Sequence, residues 1–462
     1  MTGSKKRILL IGGGDYAQSA HWPAFANNPH AELVGIVDLN SQKTRIGRLW
    51  PDVSFHGVPD ECNGREDTGN EHTSSVAIPD LEKRPELAPD KIDGAIVSTY
   101  GAHYEYVLWA LERGWHVLVD KPLTTSPGMV TDADQARRLI QHFDRLTELA
   151  RDKGLLLSLA TQRRFSSIYL EIARELRDAA KWMKSSDPSR GHVRSVQAFT
   201  SDGYFKPSWG YRFGAFGGKV KNTGYHVVDI VTWLLRQVTQ GIDSAVIQVS
   251  PLCIDGLARL AREERPGLSP SELYASVQIT FMIGNASYCV FQFHAQHENF
   301  ALSAEHTGRR PHLGALNDEE TLRAFQNRTK EEELRIALGP FFRVYFRRVA
   351  KVLDKPGCES GAKLNSYLEF SRSYPGVEPG RVFQAQTLPY DDPDWAPADE
   401  FLRELFKDKP SSAAMRSPVE DHAAAVSVFS GIYQGIALAR NGSFEPVTVD
   451  LRGKWFPPTT TS

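Results

Sequence analysis

The 462-residue chain has four cysteines, Cys62, Cys253, Cys289 and Cys358, far apart and with no C-x-x-C pair. That removes a disulfide framework and a structural zinc site, and it fits a reducing compartment; a cytoplasmic protein without a metal site is the expectation. An excess of one charge is missing too. The net charge of −2 leaves no electrostatic footprint for nucleic acid or an anionic membrane. No apolar run reads as approaching the roughly 20 residues that span a bilayer. Lys5-Lys6-Arg7 before Ile8–Ile11 has the charge order of a signal peptide, but its apolar run is short and passes straight into glycines. An apolar fraction of 41% and a charged fraction of 24% are those of an ordinary globular protein, so disorder and coiled coil drop out. The length suffices for two or three domains.

What is present begins at the N-terminus. Arg7-Ile-Leu-Leu-Ile-Gly-Gly-Gly-Asp-Tyr-Ala17 places a glycine-rich turn directly after a short apolar strand. Gly12, Gly14 and Ala17 fit the G-x-G-x-x-A form of the dinucleotide-binding fingerprint, with Asp15 and Tyr16 inside the turn. The first glycine permits the turn, the second lets backbone approach a pyrophosphate, and the small third residue lets helix pack on strand. The next strand, Leu33-Val-Gly-Ile-Val-Asp38, ends in an acid about twenty residues on, near the spacing the motif requires. A carboxylate there accepts the ribose hydroxyls of NAD and repels the 2′-phosphate of NADP. Lys43 and Arg45 nearby leave NADP open as a second cofactor.

Short apolar strands alternate with helical segments through the first third of the chain. Ile8–Ile11, Leu33–Val37, Gly94–Ser98, His116–Val119 and Leu155–Leu159 read as strands of a parallel sheet covered on both faces. Asp60 to Pro89 reads as a surface loop or insertion, and Tyr104 to Arg113 as a helix. After about Thr161 the pattern changes to a helix (Ile168 to Lys184) and strands of alternating polarity, Val193–Thr200, Ala245–Ser250, Ala275–Phe281 and Ala286–Ala295. Alternation of this kind suits a mostly antiparallel open sheet. The expected fold is therefore an α/β Rossmann domain over 1–160 and an α+β domain over 161–462. An insertion of helical character occupies about 305–394, where Phe341 to Leu353 reads as a helix with a solvated basic face. A C-terminal helix over 417–440 opens on Ser417-Pro418-Val419-Glu420, read as a capping box.

Three further clusters carry candidate chemistry. Asp120-Lys121-Pro122 closes a parallel strand, at the edge where open α/β sheets bind ligands, and a lysine there can stabilise charge on a substrate oxygen. Ser98 and His103 follow the preceding strand. Asn222 and His226, four apart, can share one face of a helical turn, and histidine suits proton transfer near neutral pH. Arg163 and Arg164, in Thr161-Gln-Arg-Arg-Phe165, lie at the junction of the two halves, where they can serve cofactor phosphates, substrate or the interdomain surface.

In that order these motifs resemble the Gfo/Idh/MocA family, named for glucose–fructose oxidoreductase and inositol dehydrogenase. The resemblance runs from Arg7 to about Leu235 and resumes at Ser417 to Asn441. It implies that Lys121 binds the substrate hydroxyl, that His226 is the general acid/base, that Asn222 binds substrate, and that Ser98 and His103 lie near the nicotinamide. Gly12, Gly14, Asp15, Tyr16, Ala17, Asp38, Ser98, His103, Asp120, Lys121 and Arg164 are the expected cofactor-binding residues. Asp229 is the structural acid three residues after the histidine. Asp120 departs from the family's glutamate, Thr99 from its proline, and Asn222 from an aspartate, so Asn222 orients a hydroxyl without stabilising a protonated histidine. The implied protein is an NAD(H)-dependent oxidoreductase of a sugar, cyclitol or amino- or nucleotide-sugar derivative, assembled as a homo-dimer or tetramer. A redox-neutral, NAD-retaining epimerase or glycosidase and a non-catalytic sensor remain the alternatives.

Overall fold

The computed structural model describes residues 5–14, 16–60, 72–99, 103–126, 128–186, 192–202, 218, 220–239, 241–253, 272–296, 327–353, 365–373, 377, 382–389 and 394–455. β1 (Lys6–Ile11) runs through the glycine turn into a π-helical turn (Ala17–His21) and α1 (Trp22–Ala26). There follow β2 (Ala31–Leu39), α2 (Lys43–Leu49), β3 (Ser54–Val58), α3 (His72–Glu82), β4 (Gly94–Val97) and α4 (His103–Glu112). β5 (His116–Asp120), α5 (Ala133–Asp152) and β6 (Leu157–Ala160) complete a six-stranded parallel sheet of order β3-β2-β1-β4-β5-β6. The order reverses between β1 and β4, which opens the ligand crevice at their carboxyl ends.

Alternate residues of β1 go to opposite faces. Leu9 and Ile11 join the large core under α4 and α5, whereas Ile8 and Leu10 join a second cluster with Ala398, Phe401, Leu402 and Leu405. Both faces of the sheet are covered, as continuous apolar strands require.

The second half adds α6 (Ser167–Ser186), β7 (Val193–Asp202), a π-helical turn (Val220–Gly224), α7 (Tyr225–Arg236), β8 (Ser244–Cys253), β9 (Glu272–Ile283) and β10 (Ala286–Gln296). Next come β11 (Asn327–Leu338), β12 (Phe342–Leu353), β13 (Asn365–Arg372), β14 (Phe383–Pro389), α8 (Ala396–Leu405), α9 (Ala423–Arg440) and β15 (Val447–Asp450). The strands form one nine-stranded sheet, β14-β13-β12-β11-β7-β10-β9-β8-β15, antiparallel except for β7 and β10. α8, late in the sequence, returns to the Rossmann sheet, where its apolar side chains cover Ile8 and Leu10. α9 lies between α5 and β8. A Cβ on Gly431 would come within 2.5 Å of Ile247 Cδ1, so the helix sits on the sheet at glycine distance.

Several sequence expectations are corrected. The helical reading of Phe341 to Leu353 is wrong: Phe342, Val344 and Phe346 are buried while Arg343 and Arg347 are exposed, the period-two pattern of a strand. The basic residues four apart imitated a helix face because four is also two strand repeats. Arg348 is not solvated; it is buried and pairs with Glu332 at 2.8 Å. The insertion thus continues the sheet through β11 to β14 rather than adding helices; 305–326 lie outside the described residues. Asp60 to Pro89 is not loop throughout, since 72–82 form α3, and the short β3 escaped notice. The capping box does not form. Ser417 Oγ bonds His422 Nε2 at 2.9 Å and Thr161 Oγ1 at 2.7 Å, a 3₁₀ turn covers Val419–His422, and α9 starts at Ala423. Val419–Arg440 is long and apolar enough to cross a membrane, contrary to the reading of the sequence, and the fold uses it as a buried core helix.

His116 ties β5 to the start of β6, its Nδ1 accepting the Leu156 N–H at 2.9 Å. Burial pulls its pKa down to about 4, helped by the charge of Lys6 and opposed by Asp93. An unfolded histidine titrates near 6.5, so between these values the unfolded chain binds more protons and stability falls as pH drops from 6.5 toward 4. The expected loss is up to about 3 kcal/mol. His116→Asn, whose Oδ1 can accept the same N–H, should flatten that part of the slope. Denaturant unfolding at pH 7 and pH 4 measures it, and equal pH losses in the two proteins would refute the assignment.

Candidate active site

Backbone contact builds the glycine loop. Gly12 has φ +93°, and a Cβ there would stand 2.6 Å from the Ser98 carbonyl oxygen; only glycine meets both conditions. Gly12 N–H donates to Val37 O at 2.8 Å. A Cβ on Gly14 would meet nothing within 4 Å, which leaves its backbone open to an approaching phosphate. Ala17 is buried in the core against the sheet. Asp15 lies outside the described residues, and Tyr16 sets its ring edge-on to His21, centroids 5.6 Å apart.

Asp38 closes β2 with Oδ2 accepting Gly13 N–H at 2.8 Å and Oδ1 accepting Leu39 N–H at 2.7 Å. Burial raises its pKa above the ordinary carboxylate value, opposed by these two N–H groups and by Arg45. Each oxygen keeps a lone pair for a ribose hydroxyl. The open Gly14 backbone and this carboxylate, joined through the Gly13 N–H, fit a dinucleotide.

At the end of β5 both oxygens of the Asp120 carboxylate are engaged by protein groups. Its Oδ2 accepts the Ser98 hydroxyl at 2.5 Å and its Oδ1 lies 3.1 Å from His21 Nε2. Burial raises its pKa, but His21 and the Ser98 hydroxyl outweigh that and hold it below the usual value. His103 is likewise turned inward, Nδ1 at 2.7 Å from Pro122 O and Nε2 at 2.5 Å from Thr99 O. A neutral ring donates to only one of these carbonyls. Burial lowers its pKa, the Lys221 charge adds to that, and the carbonyls and Asp120 oppose it. Asp120, Ser98 and His103 therefore brace the two loops at the carboxyl edge. Lys121, half-buried, follows them through a cis peptide to Pro122.

Arg164, expected at the cofactor, is engaged within the protein. It is fully buried, with Nε at 3.1 Å and Nη2 at 2.6 Å from the Asp229 carboxylate. Asp421 stands 3.9 Å from its Nη1 and pairs with Arg236 at 3.0 Å. His422 Nδ1 lies 2.8 Å from Asp229 Oδ1. Burial raises the Asp229 pKa, but Arg164 and His422 drive it far below the ordinary range. Two guanidiniums thus meet two carboxylates beside a histidine whose pKa is lowered by burial and by Arg164, with Asp229 opposing. Arg163, one residue earlier, turns to Glu332 at 2.9 Å, so both arginines serve the junction between the halves.

This network delivers the histidine. Asp120 pairs with Ala160 in the sheet register, Arg164 follows four residues later, and Asp229 is three residues beyond His226 on α7. His226 is thereby held, 8% exposed, in the first turn of α7, the helix that Asp229 ties to the chain leaving β6. Asn222 lies one turn earlier in the Val220–Gly224 π-turn, its side chain outside the described residues. Sequence reasoning passed over His21 and Lys221, the latter 3% exposed beside Asn222. Each stands in a π-turn, which hydrophobic periodicity does not reveal, and π-turns recur at functional sites.

Residues 6–158 match the model of an oxidoreductase family described as having an NAD-binding Rossmann fold, Gfo/Idh/MocA. The chain is 27% identical over 181 residues to D-glucoside 3-dehydrogenase of Escherichia coli, covering 38% of this chain and 45% of that protein. It is 27% identical over 162 residues to inositol 2-dehydrogenase/D-chiro-inositol 3-dehydrogenase of Shouchella clausii, 34% of this chain and 38% of that one. These matches span less than half of either relative. Among solved structures, aldose-aldose oxidoreductase from Caulobacter crescentus aligns with TM-score 0.55 at 16% identity, over 97% of this chain and 100% of that chain. A 3-ketoreductase from Actinomadura kijaniata, in complex with NADP and TDP-benzene, aligns with TM-score 0.54 at 16% identity, over 94% and 98%. At these identities the likeness is one of fold, and it extends over both halves.

Removing the Arg164 charge leaves two buried carboxylates short of a partner. Arg164→Met should cost about 3–5 kcal/mol in denaturant unfolding, with dinucleotide affinity of the folded protein little changed. A stable variant with lost affinity would return Arg164 to the cofactor.

Proposed function

We propose that this chain, whose residues 6–158 match the model of the Gfo/Idh/MocA oxidoreductase family, is an NAD(H)-dependent oxidoreductase. Its substrate is a secondary alcohol, or the corresponding ketone, of a sugar, cyclitol or amino- or nucleotide-sugar derivative. The observation that carries the reading is the buried Arg164–Asp229 pair, which ties the helix bearing His226 to the chain leaving β6, the sheet neighbour of the strand that runs into Lys121. The names of the glucoside and inositol dehydrogenases support the substrate class.

Gly12, Gly14 and Asp38 hold the dinucleotide, and Asp38 favours NAD over NADP by repulsion of a 2′-phosphate. When bound, the nicotinamide supplies the acceptor or donor of hydride. Lys121 holds the reacting oxygen and stabilises the negative charge that develops there. His226 takes the hydroxyl proton in oxidation and returns it in reduction, and Asn222 orients the hydroxyl. The open face of the nine-stranded sheet, with Gln197, Gln292, His294, Glu331, Glu333 and Arg335 around a concavity of about 410 Å³, is the surface for a homo-oligomer.

NADH absorbance during a screen of sugars and cyclitols tests the activity. Lys121→Ala and His226→Ala should each lower kcat by about 10²–10⁴ while leaving dinucleotide affinity near that of the parent. Near-normal turnover in both would overturn the assignment. Gly12→Ala, forced against the Ser98 carbonyl, should instead weaken dinucleotide binding by about tenfold or more, read by fluorescence titration; unchanged affinity would remove the loop from the binding site.

A further inference from the structure

His21 has no part in the chemistry above, yet it stands beneath it. It closes the Ala17–His21 π-turn, is 1% exposed, and places Nε2 at 3.1 Å from Asp120 Oδ1. Its Nδ1 has no hydrogen-bond partner among the described residues, so the proton belongs on Nε2, where it is donated to Asp120. The Tyr16 ring packs edge-on against it. Without the extra residue of the π-turn His21 would be rotated by one α-helical step, about 100°, which would carry the ring away from Asp120.

Asp120 is the residue directly before Lys121. Successive residues at a strand end point to opposite faces, and the Asp120 carboxylate is directed inward, onto His21 and Ser98. We propose that His21 is a positioning residue for Lys121. By donating to Asp120 it keeps that carboxylate turned inward and prevents its charge from drawing the neighbouring ammonium out of its place at the crevice. A buried carboxylate that loses a donor seeks another, and Lys121 is the adjacent cation in sequence. The consequence for turnover rests on the function proposed above; the placement of the lysine does not.

The test reads the lysine without any substrate. Full-length protein is treated with a trace amine-acylating reagent, and labelling of each lysine is followed by mass spectrometry, with exposed Lys83 as the internal reference. His21→Met keeps bulk and removes the donor, whereas His21→Gln keeps an N–H donor. His21→Met should change the Lys121 labelling rate by about threefold or more with Lys83 unchanged, and His21→Gln should restore most of the parent rate. A parent-like rate in His21→Met, or equal disturbance in both variants, overturns the proposal. Should His21→Met fail to fold, His21→Phe, which keeps a ring against Tyr16 and removes the donor, takes its place under the same two outcomes. Once a substrate is in hand, His21→Met should lower kcat more than it raises KM. A protein that binds no dinucleotide would defeat the proposed function while leaving the labelling result intact.

Discussion

The buried pairing of Arg164 with Asp229 is the constraint on which the site depends. A guanidinium without solvent must be satisfied by carboxylate, and here the carboxylate comes from α7 while the arginine comes from the chain leaving β6. The pair therefore fixes a helix of the second half against the carboxyl edge of the first. Asp421, Arg236 and His422 extend it to the start of α9. Because each charge is needed by another, none can move alone, and His226 inherits that rigidity.

A second set of contacts fixes the opposite wall. Ser98 serves twice: its carbonyl sets how closely Gly12 approaches, and its hydroxyl holds Asp120. The dinucleotide loop and the lysine-bearing strand end are thus braced through one residue. His103 adds a tie between the loop at Thr99 and Pro122. Ser98, His103 and Asp120, expected near the cofactor, are here engaged in shaping the backbone of these loops.

Much of the first domain was legible because its signals are local. Apolar runs of strand length, a glycine turn and an acid at the next strand end need only neighbours in sequence. β12 was misread because arginines four apart satisfy both a helix and a strand, and only burial of Phe342, Val344 and Phe346 separates the two. Ser417 looked like a cap because its sequence neighbours suit one, but His422 and Thr161 compete for the same hydroxyl. His21 gave no signal, since a π-turn leaves no periodic trace.

By itself the sequence determined the parallel sheet and the glycine turn with its acid at Asp38, and it singled out Lys121 and His226 as candidates. All of these follow from residue type and short-range spacing. The tertiary structure alone decided which polar residues face the crevice and which brace it. Asp120, His103 and Arg164 carry the same functional groups in either role. Their assignment depends on partners up to 258 residues away in the chain, such as His422 beside Arg164, and a buried charge goes wherever the fold supplies its counter-charge.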